Sequence, residues 1–168
     1  MSTSTTKALS LGIVAAAWAA ISHLARLNFE LWPAWVGLAC FVGAGGGVSG
    51  LQKSAAGTVS GVVWALIYLA LRNALDPGSA GIMSALAFGL VVFGMVYQAR
   101  FHTLLTYAPA ALAGAAVAAG LKISTASLNG GIRVAVPLLI GCVLGIVAER
   151  VAEMLGRMKV VPAMAGRG

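Results

Sequence analysis

The chain has 168 residues, of which 60% are hydrophobic and 9% charged, with a net charge of +7. A soluble domain carries roughly 25% charged residues, and a chain this short cannot bury so much apolar surface in one soluble core. The composition therefore excludes a soluble globular domain and indicates an integral membrane protein. The basic residues stand singly between apolar stretches, which is typical of orientation signals in membrane loops and not of nucleic-acid binding.

Six stretches are long and apolar enough to cross a bilayer, since a membrane helix needs about 20 apolar residues. These stretches lie at about 8–25, 32–50, 54–72, 80–98, 103–121 and 131–153. The polar loops at 26–30 and 73–79 are clear, but the gap at Gln52 and Lys53 is barely polar. There the segment VSGLQKS predicts a tight turn or a partly unwound segment. The expected fold is an all-α integral membrane protein with six transmembrane helices.

The charges near the predicted helix ends indicate the orientation of the chain. With the N-terminus in the cytoplasm, seven basic residues lie inside and four outside, which is the bias expected for bacterial membrane proteins. The inside set is Lys7, Lys53, Arg100, Arg150, Arg157, Lys159 and Arg167, and the outside set is Arg26, Arg72, Lys122 and Arg133. We therefore expect a multi-pass protein of the bacterial inner membrane with both termini in the cytoplasm.

The two halves of the chain match each other at an offset of about 76 residues, which sets Pro33 on Pro109 without a gap. Each half holds three predicted spans, and an odd number makes the second copy enter the membrane from the opposite side. The match predicts two inverted three-helix repeats with a Gly-rich or broken second helix in each. Residues 1–168 form a single membrane domain, with repeat one at about 8–75, repeat two at about 80–153 and a cytoplasmic tail at about 154–168.

Glycines four residues apart share one helical face and let helices approach closely in lipid. This spacing predicts packing faces at Gly43, Gly50, Gly57, Gly61, Gly141 and Gly145. The consecutive Gly45, Gly46 and Gly47 weaken a helix by about 3 kcal/mol relative to alanine. They fit either close packing or a broken helix whose free backbone groups line a cavity.

Uncharged polar side chains and helix-breaking residues within the spans are candidates for a solute path. Trp64 lies near the middle of its span, where an interfacial aromatic belt does not explain it. The candidate pore-lining or solute-lining residues are Gly45, Gly46, Gly47, Ser60, Trp64, Gln98, Thr106, Pro33 and Pro109. Their uncharged character suits a small neutral or weakly ionised solute.

Several kinds of chemistry are missing from the sequence. No acidic residue lies in the middle of a predicted span, whereas proton- and sodium-coupled carriers usually place a carboxylate there, so passive conduction is favoured. Cys40 and Cys142 have no metal-ligating residue at ligand spacing and are interpreted as small apolar residues. Without a catalytic set or a phosphate loop, we expect no enzyme activity, no metal and no cofactor.

A family resemblance is carried by WVGLACFVGAGGGVSGLQKSAAGTVSGVVWALI at 35–67, by YQAR at 97–100 and by the stretch from Pro109 to Gly114. These segments resemble the DUF1097 family of small bacterial inner-membrane proteins, whose function is unassigned. The resemblance covers about residues 11–150, and SGVVWA at 60–65 is its most specific piece. It implies a multi-pass inner-membrane protein but no substrate and no site residue. One departure is that Ala44 and Gly45 stand where a proline is expected.

Two functions fit these patterns. The first is a homo-oligomeric passive channel or uniporter in the lipid bilayer for a small polar solute such as urea, an amide, a short organic acid or ammonia. The alternative is a non-conducting membrane scaffold or accessory subunit that uses the same glycine faces to hold a partner protein. A conducting protein would lose flux when Gly46 or Ser60 is replaced by a bulky residue, whereas a scaffold would show no flux in isolation. Neither function involves nucleic acid.

Overall fold

In the computed structural model of the protein, every regular element within the described residues is helical. The structure describes residues 3–24, 31–75, 81–123 and 126–165, with side chains described up to residue 156. Two short 3₁₀ turns, at Gln98–Arg100 and Thr103–Leu105, lie between the fourth and fifth α-helices. The helices are α1 (Thr3–Leu24), α2 (Trp32–Gly43), α3 (Gly47–Leu75), α4 (Ile82–Tyr97), α5 (Ala108–Gly120) and α6 (Leu128–Ala165).

The six predicted helices are present, but they differ in length. Four apolar helical segments are long enough to cross a membrane: Thr5–Leu24, Gly47–Leu75, Ile82–Arg100 and Leu128–Gly156. Helices α2 and α5 have only 12 and 13 residues, short of the roughly 20 that a full span needs. The fold is thus that of an all-helical, multi-pass membrane protein with two short apolar helices among four long ones.

The predicted boundary between the second and third helices is wrong. Helix α2 ends at Gly43, seven residues before the predicted end, and α3 begins at Gly47. Gln52, Lys53 and the whole VSGLQKS segment are helical. The glycine run itself makes the turn, because glycine adopts positive φ without steric cost and the φ angles of Gly45, Gly46 and Gly47 are +93°, +71° and +63°.

Other predicted boundaries differ less. Helix α6 continues to Ala165, so the segment 154–165, assigned from the sequence to a tail, is helical. The fifth predicted span begins at 103, whereas α5 begins at Ala108 after a 3₁₀ turn. The loop predicted at 73–79 begins later, because residues 73–75 belong to α3, and its remaining residues 76–79 lie outside the described residues. The predicted loop at 26–30, which includes Arg26, also lies outside them, as does Arg167.

The two short helices begin and end in the same way. Each has a proline at its second position, Pro33 in α2 and Pro109 in α5, where the missing N–H group costs nothing. In α2, the Ala44 N–H donates to the Cys40 carbonyl at 2.9 Å and the Gly46 N–H to the Phe41 carbonyl at 3.2 Å. The second bond is that of a Schellman cap.

The end of α5 repeats this cap 77 residues later. The Leu121 N–H donates to the Val117 carbonyl at 2.9 Å and the Ile123 N–H to the Ala118 carbonyl at 3.4 Å. Lys122 takes the place of Gly45 in the cap and, with φ of +52°, is the one non-glycine residue with positive φ in the described part of the chain. The same backbone geometry therefore ends both short helices.

Close contacts of glycine hold the helices together, and they too occur in two matching sets. Between α2 and α6, a Cβ atom on Gly37 would overlap the backbone of Leu138, and one on Gly141 the backbone of Ala34. Between α3 and α5, a Cβ on Gly114 would overlap the Thr58 backbone, and one on Gly61 the Ala111 backbone. Such backbone-to-backbone contacts are what associate helices in lipid.

Helices that occupy corresponding places in the two halves run antiparallel: α3 to α6, and α2 to α5. The start of α3 at Gly47 contacts Glu149, late in α6, while Leu66, late in α3, lies against Gly131 near the start of α6. Likewise Trp32 at the start of α2 lies against Gly120 at the end of α5, and Tyr107 just before α5 lies against Gly43 at the end of α2. Between them the interior is filled by side chains that are fully buried: Ser54, Thr58, Val134, Leu138 and Cys142.

Candidate functional site

Three of the sequence-predicted residues form a hydrogen-bonded polar cluster between α3 and the 3₁₀ turn that follows α4. It is here called the Gln98 cluster and consists of Ser60, Trp64 and Gln98. Ser60 and Trp64 are four residues apart on α3 and therefore share one helical face. The Ser60 hydroxyl donates to Gln98 Oε1 at 2.6 Å, and Trp64 Nε1 donates to the same oxygen at 2.9 Å. One amide oxygen thus accepts both bonds.

The orientation of the Gln98 amide follows from its partners. An indole N–H only donates, so the atom facing Trp64 Nε1 must be the amide oxygen. The amide nitrogen is then the group left over, and Nε2 is buried without a hydrogen-bond partner. An unpaired buried donor is costly even in a protein interior.

Gly94 provides the room for the Gln98 cluster. It lies one helical turn before Gln98 on α4, and a Cβ atom there would come within 2.8 Å of the Trp64 ring at Cζ3. The indole therefore lies directly on the backbone of α4, with its N–H turned towards Gln98. This close approach explains a glycine that sequence analysis did not single out.

The glycine turn lines a separate cavity of about 730 Å³, here called the Glu149 cavity. The Glu149 side chain reaches from α6 to the turn, and its Oε2 accepts a hydrogen bond from the Gly47 N–H at 2.8 Å. A carboxylate at this place satisfies a free N–H group at the first turn of α3 and interacts favourably with the helix dipole. The remaining wall includes Lys7 and Ser10 of α1 and Glu153 of α6.

A second cavity of about 380 Å³, here called the Arg72 cavity, lies between α3, α4 and α5. Its lining includes Arg72, Lys122 and Tyr68 together with the apolar Phe88, Val91 and Met95. Its charged residues are cations, whereas the Glu149 cavity carries two carboxylates and one lysine. The two cavities therefore differ in electrostatic character.

The linings of the two cavities correspond to each other along the chain. Val42 and Gly45 line the Glu149 cavity, and the residues 77 positions later, Ala119 and Lys122, line the Arg72 cavity. Ala148 and Ala152 line the first, and the residues 80 positions earlier, Tyr68 and Arg72, line the second. The offsets are those that relate α2 to α5 and α3 to α6 in the helix contacts.

The structure places the nine predicted lining residues in separate regions. Gly45, Gly46 and Gly47 line the Glu149 cavity, and Ser60, Trp64 and Gln98 form the Gln98 cluster. Gly47 and Ser60 are 13 residues apart on α3, about 20 Å along the helix, so these two groups do not share one cavity. Thr106 is exposed and donates to the Thr103 carbonyl at 2.8 Å. Pro33 is buried and Pro109 exposed at the starts of α2 and α5.

The predicted packing glycines lie at several helix contacts. Gly57 and Gly61 face α5, and Gly141 and Gly145 face α2. Gly43 lies against the Tyr107 hydroxyl, and Gly50 makes ordinary contacts at 3.5 Å with the Phe41 and Ala44 carbonyls. Sequence analysis missed Gly37, Gly114 and Gly120, as well as the contact of Glu149 with the turn. Gly57, Gly61, Gly141 and Gly145 were visible in the sequence because each has a glycine four residues away, whereas Gly37, Gly114 and Gly120 have none.

The residues that the structure describes include no group of three His, Cys, Asp or Glu side chains that could hold a metal ion. Cys40 and Cys142 are buried and not disulfide-bonded, and the Cys142 thiol donates to the Gly37 carbonyl at 3.5 Å. The cysteines thus contribute to the packing of α2 against α6.

Comparison with known proteins identifies the family. The family model described as "Protein of unknown function (DUF1097)" matches residues 8–153. The chain belongs to this family. It is also similar to the inner membrane protein YcdZ of Escherichia coli strain K12, with 34% identity over 109 residues, which is 64% of each chain. No solved structure matches the chain. The similarity to an inner membrane protein and the four long apolar helices together support a multi-pass inner-membrane protein.

Proposed function

We propose that this DUF1097 protein is a passive uniporter for a small neutral or weakly ionised polar solute, built from two inverted three-helix repeats. The observation that carries the proposal is the pair of cavities with corresponding linings at opposite ends of α3. Inverted repeats in transporters generate such two-sided arrangements, with the solute site where the repeats meet.

The duplicated contacts support the inverted repeats. The α2 cap recurs in α5 and the α2–α6 glycine contacts recur between α5 and α3. Helices that correspond to each other run antiparallel, which an inverted duplication requires. Thr58 of α3 and Leu138 of α6 are 80 residues apart, are both fully buried, and each lies against a glycine of a short helix. They mark the centre of the proposed two-fold relation.

Helix geometry supports placing the cavities on opposite membrane faces. Gly47 in the Glu149 cavity and Arg72 in the Arg72 cavity are 25 residues apart on α3, about 38 Å along its axis. The hydrocarbon core of a bilayer is about 30 Å thick. Orientation by basic residues, with both termini in the cytoplasm, puts the Glu149 cavity on the cytoplasmic side and the Arg72 cavity on the periplasmic side.

The packing between the cavities favours a uniporter over an open channel. Thr58, Leu138 and Cys142 have no exposed surface, and the backbones of α3 and α5 are in contact at Gly61. A solute passing between the cavities needs these helices to move relative to one another. Alternating access of this kind is a rocking of one repeat against the other.

The positions of the acidic residues favour passive transport of an uncharged solute. The chain has four acidic residues, and Glu149 lies 11 residues beyond Leu138, about 16 Å from the centre along α6. That distance puts the carboxylate at the edge of the hydrocarbon core. Ser60, by contrast, is two residues from Thr58, and the cluster that it forms with Trp64 and Gln98 is uncharged.

Flux through purified protein tests the proposal. Stopped-flow light scattering on proteoliposomes, with urea, acetamide, glycerol, formate, acetate and ammonium, should show accelerated entry of at least one solute over empty liposomes. Gly46→Trp should abolish the acceleration, because the side chain would displace Glu149. Val143→Trp, at an exposed position of α6 that lines neither cavity, is the matched control. Entry no faster than in empty liposomes for every solute would contradict the proposal and favour the scaffold.

The homo-oligomer remains a prediction within this proposal. Gly12 on α1 and Gly89 on α4 are 77 residues apart, and a Cβ atom on either would meet nothing within 4 Å. They thus lie on outer faces that do not pack within the protomer. Cross-linking in native membranes, with a monomer band alone as the contrary result, tests whether these faces meet those of a second copy.

A further inference from the structure

Gln98 holds a hydrogen-bond donor that the protein's own packing leaves unused. Its Oε1 accepts from Ser60 and Trp64, and this arrangement fixes the amide so that Nε2 carries two N–H groups without an acceptor. Hydrogen bonding between helices explains why the Gln98 oxygen Oε1 is buried. It does not explain why the nitrogen Nε2 is buried, since a buried donor without a partner destabilises the fold.

The corresponding place in the first half of the chain has the same property. Ser22 of α1 stands 76 residues before Gln98, the offset of the sequence duplication, and its hydroxyl is buried without a partner. Trp18, one helical turn earlier, also has a buried and unpartnered Nε1. In the first half the unsatisfied donor thus lies one helical turn from Trp18 of α1, and in the second half it lies next to Trp64, which comes from α3.

The Gln98 cluster lies next to the Arg72 cavity. Met95, three residues before Gln98 and on the same face of α4, lines that cavity, as does Ala65, the residue after Trp64. Met95 and Val91 are buried and pack with Trp64. A solute in the Arg72 cavity is thus one apolar layer away from the unused donor.

We propose that the Gln98 cluster is the solute-binding site and that its ligand is a small uncharged carbonyl compound, such as a primary amide or urea. Gln98 Nε2 donates to the carbonyl oxygen of the ligand, and the Trp64 ring provides an apolar wall. The site is near the centre of the proposed two-fold relation, because Ser60 is two residues from Thr58. The inference deepens the proposed uniporter function and rests on it for the route to the site.

Binding is measured separately from flux. In a protein carrying Trp18→Phe, Trp32→Phe and Trp35→Phe, Trp64 is the single tryptophan, since the chain has four. Titration with acetamide or urea in detergent should change its emission in a saturable manner, whereas ethylene glycol, which lacks a carbonyl group, should not. Gln98→Met keeps the side-chain size and removes the donor, and should weaken binding about tenfold, as expected for one lost neutral hydrogen bond.

Thr103→Ala is the matched control, because Thr103 is an exposed polar residue near Gln98 in sequence. It should bind the amide like the parent. Equal binding by Gln98→Met and the parent, or equal binding of ethylene glycol and acetamide, would overturn the site assignment. Saturable binding at Trp64 without flux would support the binding site but contradict the uniporter. Flux that Gln98→Met leaves unchanged would support the uniporter but contradict the binding site.

Discussion

Of the three glycines in the turn, Gly46 is the one where a side chain would both strain the backbone and overlap the Glu149 side chain. Its φ is +71°, and a Cβ atom there would overlap the Glu149 carboxylate. Gly45 and Gly47 also have positive φ, but a Cβ at either would meet nothing within 4 Å. Positive φ costs a non-glycine residue roughly 1–2 kcal/mol. Lys122, which corresponds to Gly45 in the cap of α5, adopts this conformation.

We therefore expect Gly46→Ala to be the most destabilising of the three alanine substitutions. Gly45→Ala and Gly47→Ala should each lower the free energy of unfolding by about 1 kcal/mol. Gly46→Ala should cost at least about 1 kcal/mol more, because the Glu149 bond to the Gly47 N–H is lost as well. Denaturant unfolding of the purified protein in detergent measures the series. Equal losses at all three positions would show that Glu149 contributes nothing to the turn.

At the scale of helices, the paired glycine contacts make a quantitative prediction. Gly61→Ala would push α3 from α5, and Gly141→Ala would push α6 from α2, since each new methyl overlaps a backbone that cannot rotate away. Overpacking of this kind costs typically about 1–3 kcal/mol. The two substitutions should destabilise the protein by similar amounts.

Gly12→Ala is the control for this pair, because its Cβ would enter open space and alanine favours the helix by about 1 kcal/mol. It should be neutral or stabilising. The melting temperature in detergent reports all three variants. A large loss for Gly61→Ala together with none for Gly141→Ala would contradict the equivalence of the two contacts.

The helices were largely predictable from the sequence, and their ends were not. Hydropathy detects apolar length, and six helices followed from it. Glycine is uncharged and nearly neutral on that measure, so it did not interrupt the apolar stretch, and the turn at Gly45, Gly46 and Gly47 was placed inside a span. Conversely, Gln52 and Lys53 suggested a loop, although both lie within α3. Helix ends depend on backbone hydrogen bonds such as that from Gly46 to Phe41, which hydropathy does not contain.

The sequence identified the residues of the candidate site but not which of them contact each other. Ser60 and Trp64 were identifiable together because they lie four residues apart on one helix. Their partner Gln98 comes from another helix, 34 residues beyond Trp64, and no local pattern joins them. Glu149 lies within the last predicted span, at 131–153, but its contact with Gly47, 102 residues away, is a result of tertiary packing.

At the scale of the whole molecule, the proposed uniporter requires that its two cavities open to opposite sides of the membrane. Ala152 lines the Glu149 cavity and Ala119 the Arg72 cavity, so each small residue offers a place for a reporter thiol. The native Cys40 and Cys142 are buried and free, and Cys40→Ala with Cys142→Ala provides a background without thiols. Ala152→Cys and Ala119→Cys are then introduced separately.

Labelling with a membrane-impermeant maleimide, in right-side-out and inside-out vesicles, tests this arrangement most directly. The account predicts that Ala119→Cys reacts from the periplasmic side only and Ala152→Cys from the cytoplasmic side only. Reaction of both thiols from the same side would place the cavities on one membrane face and contradict the two-sided carrier.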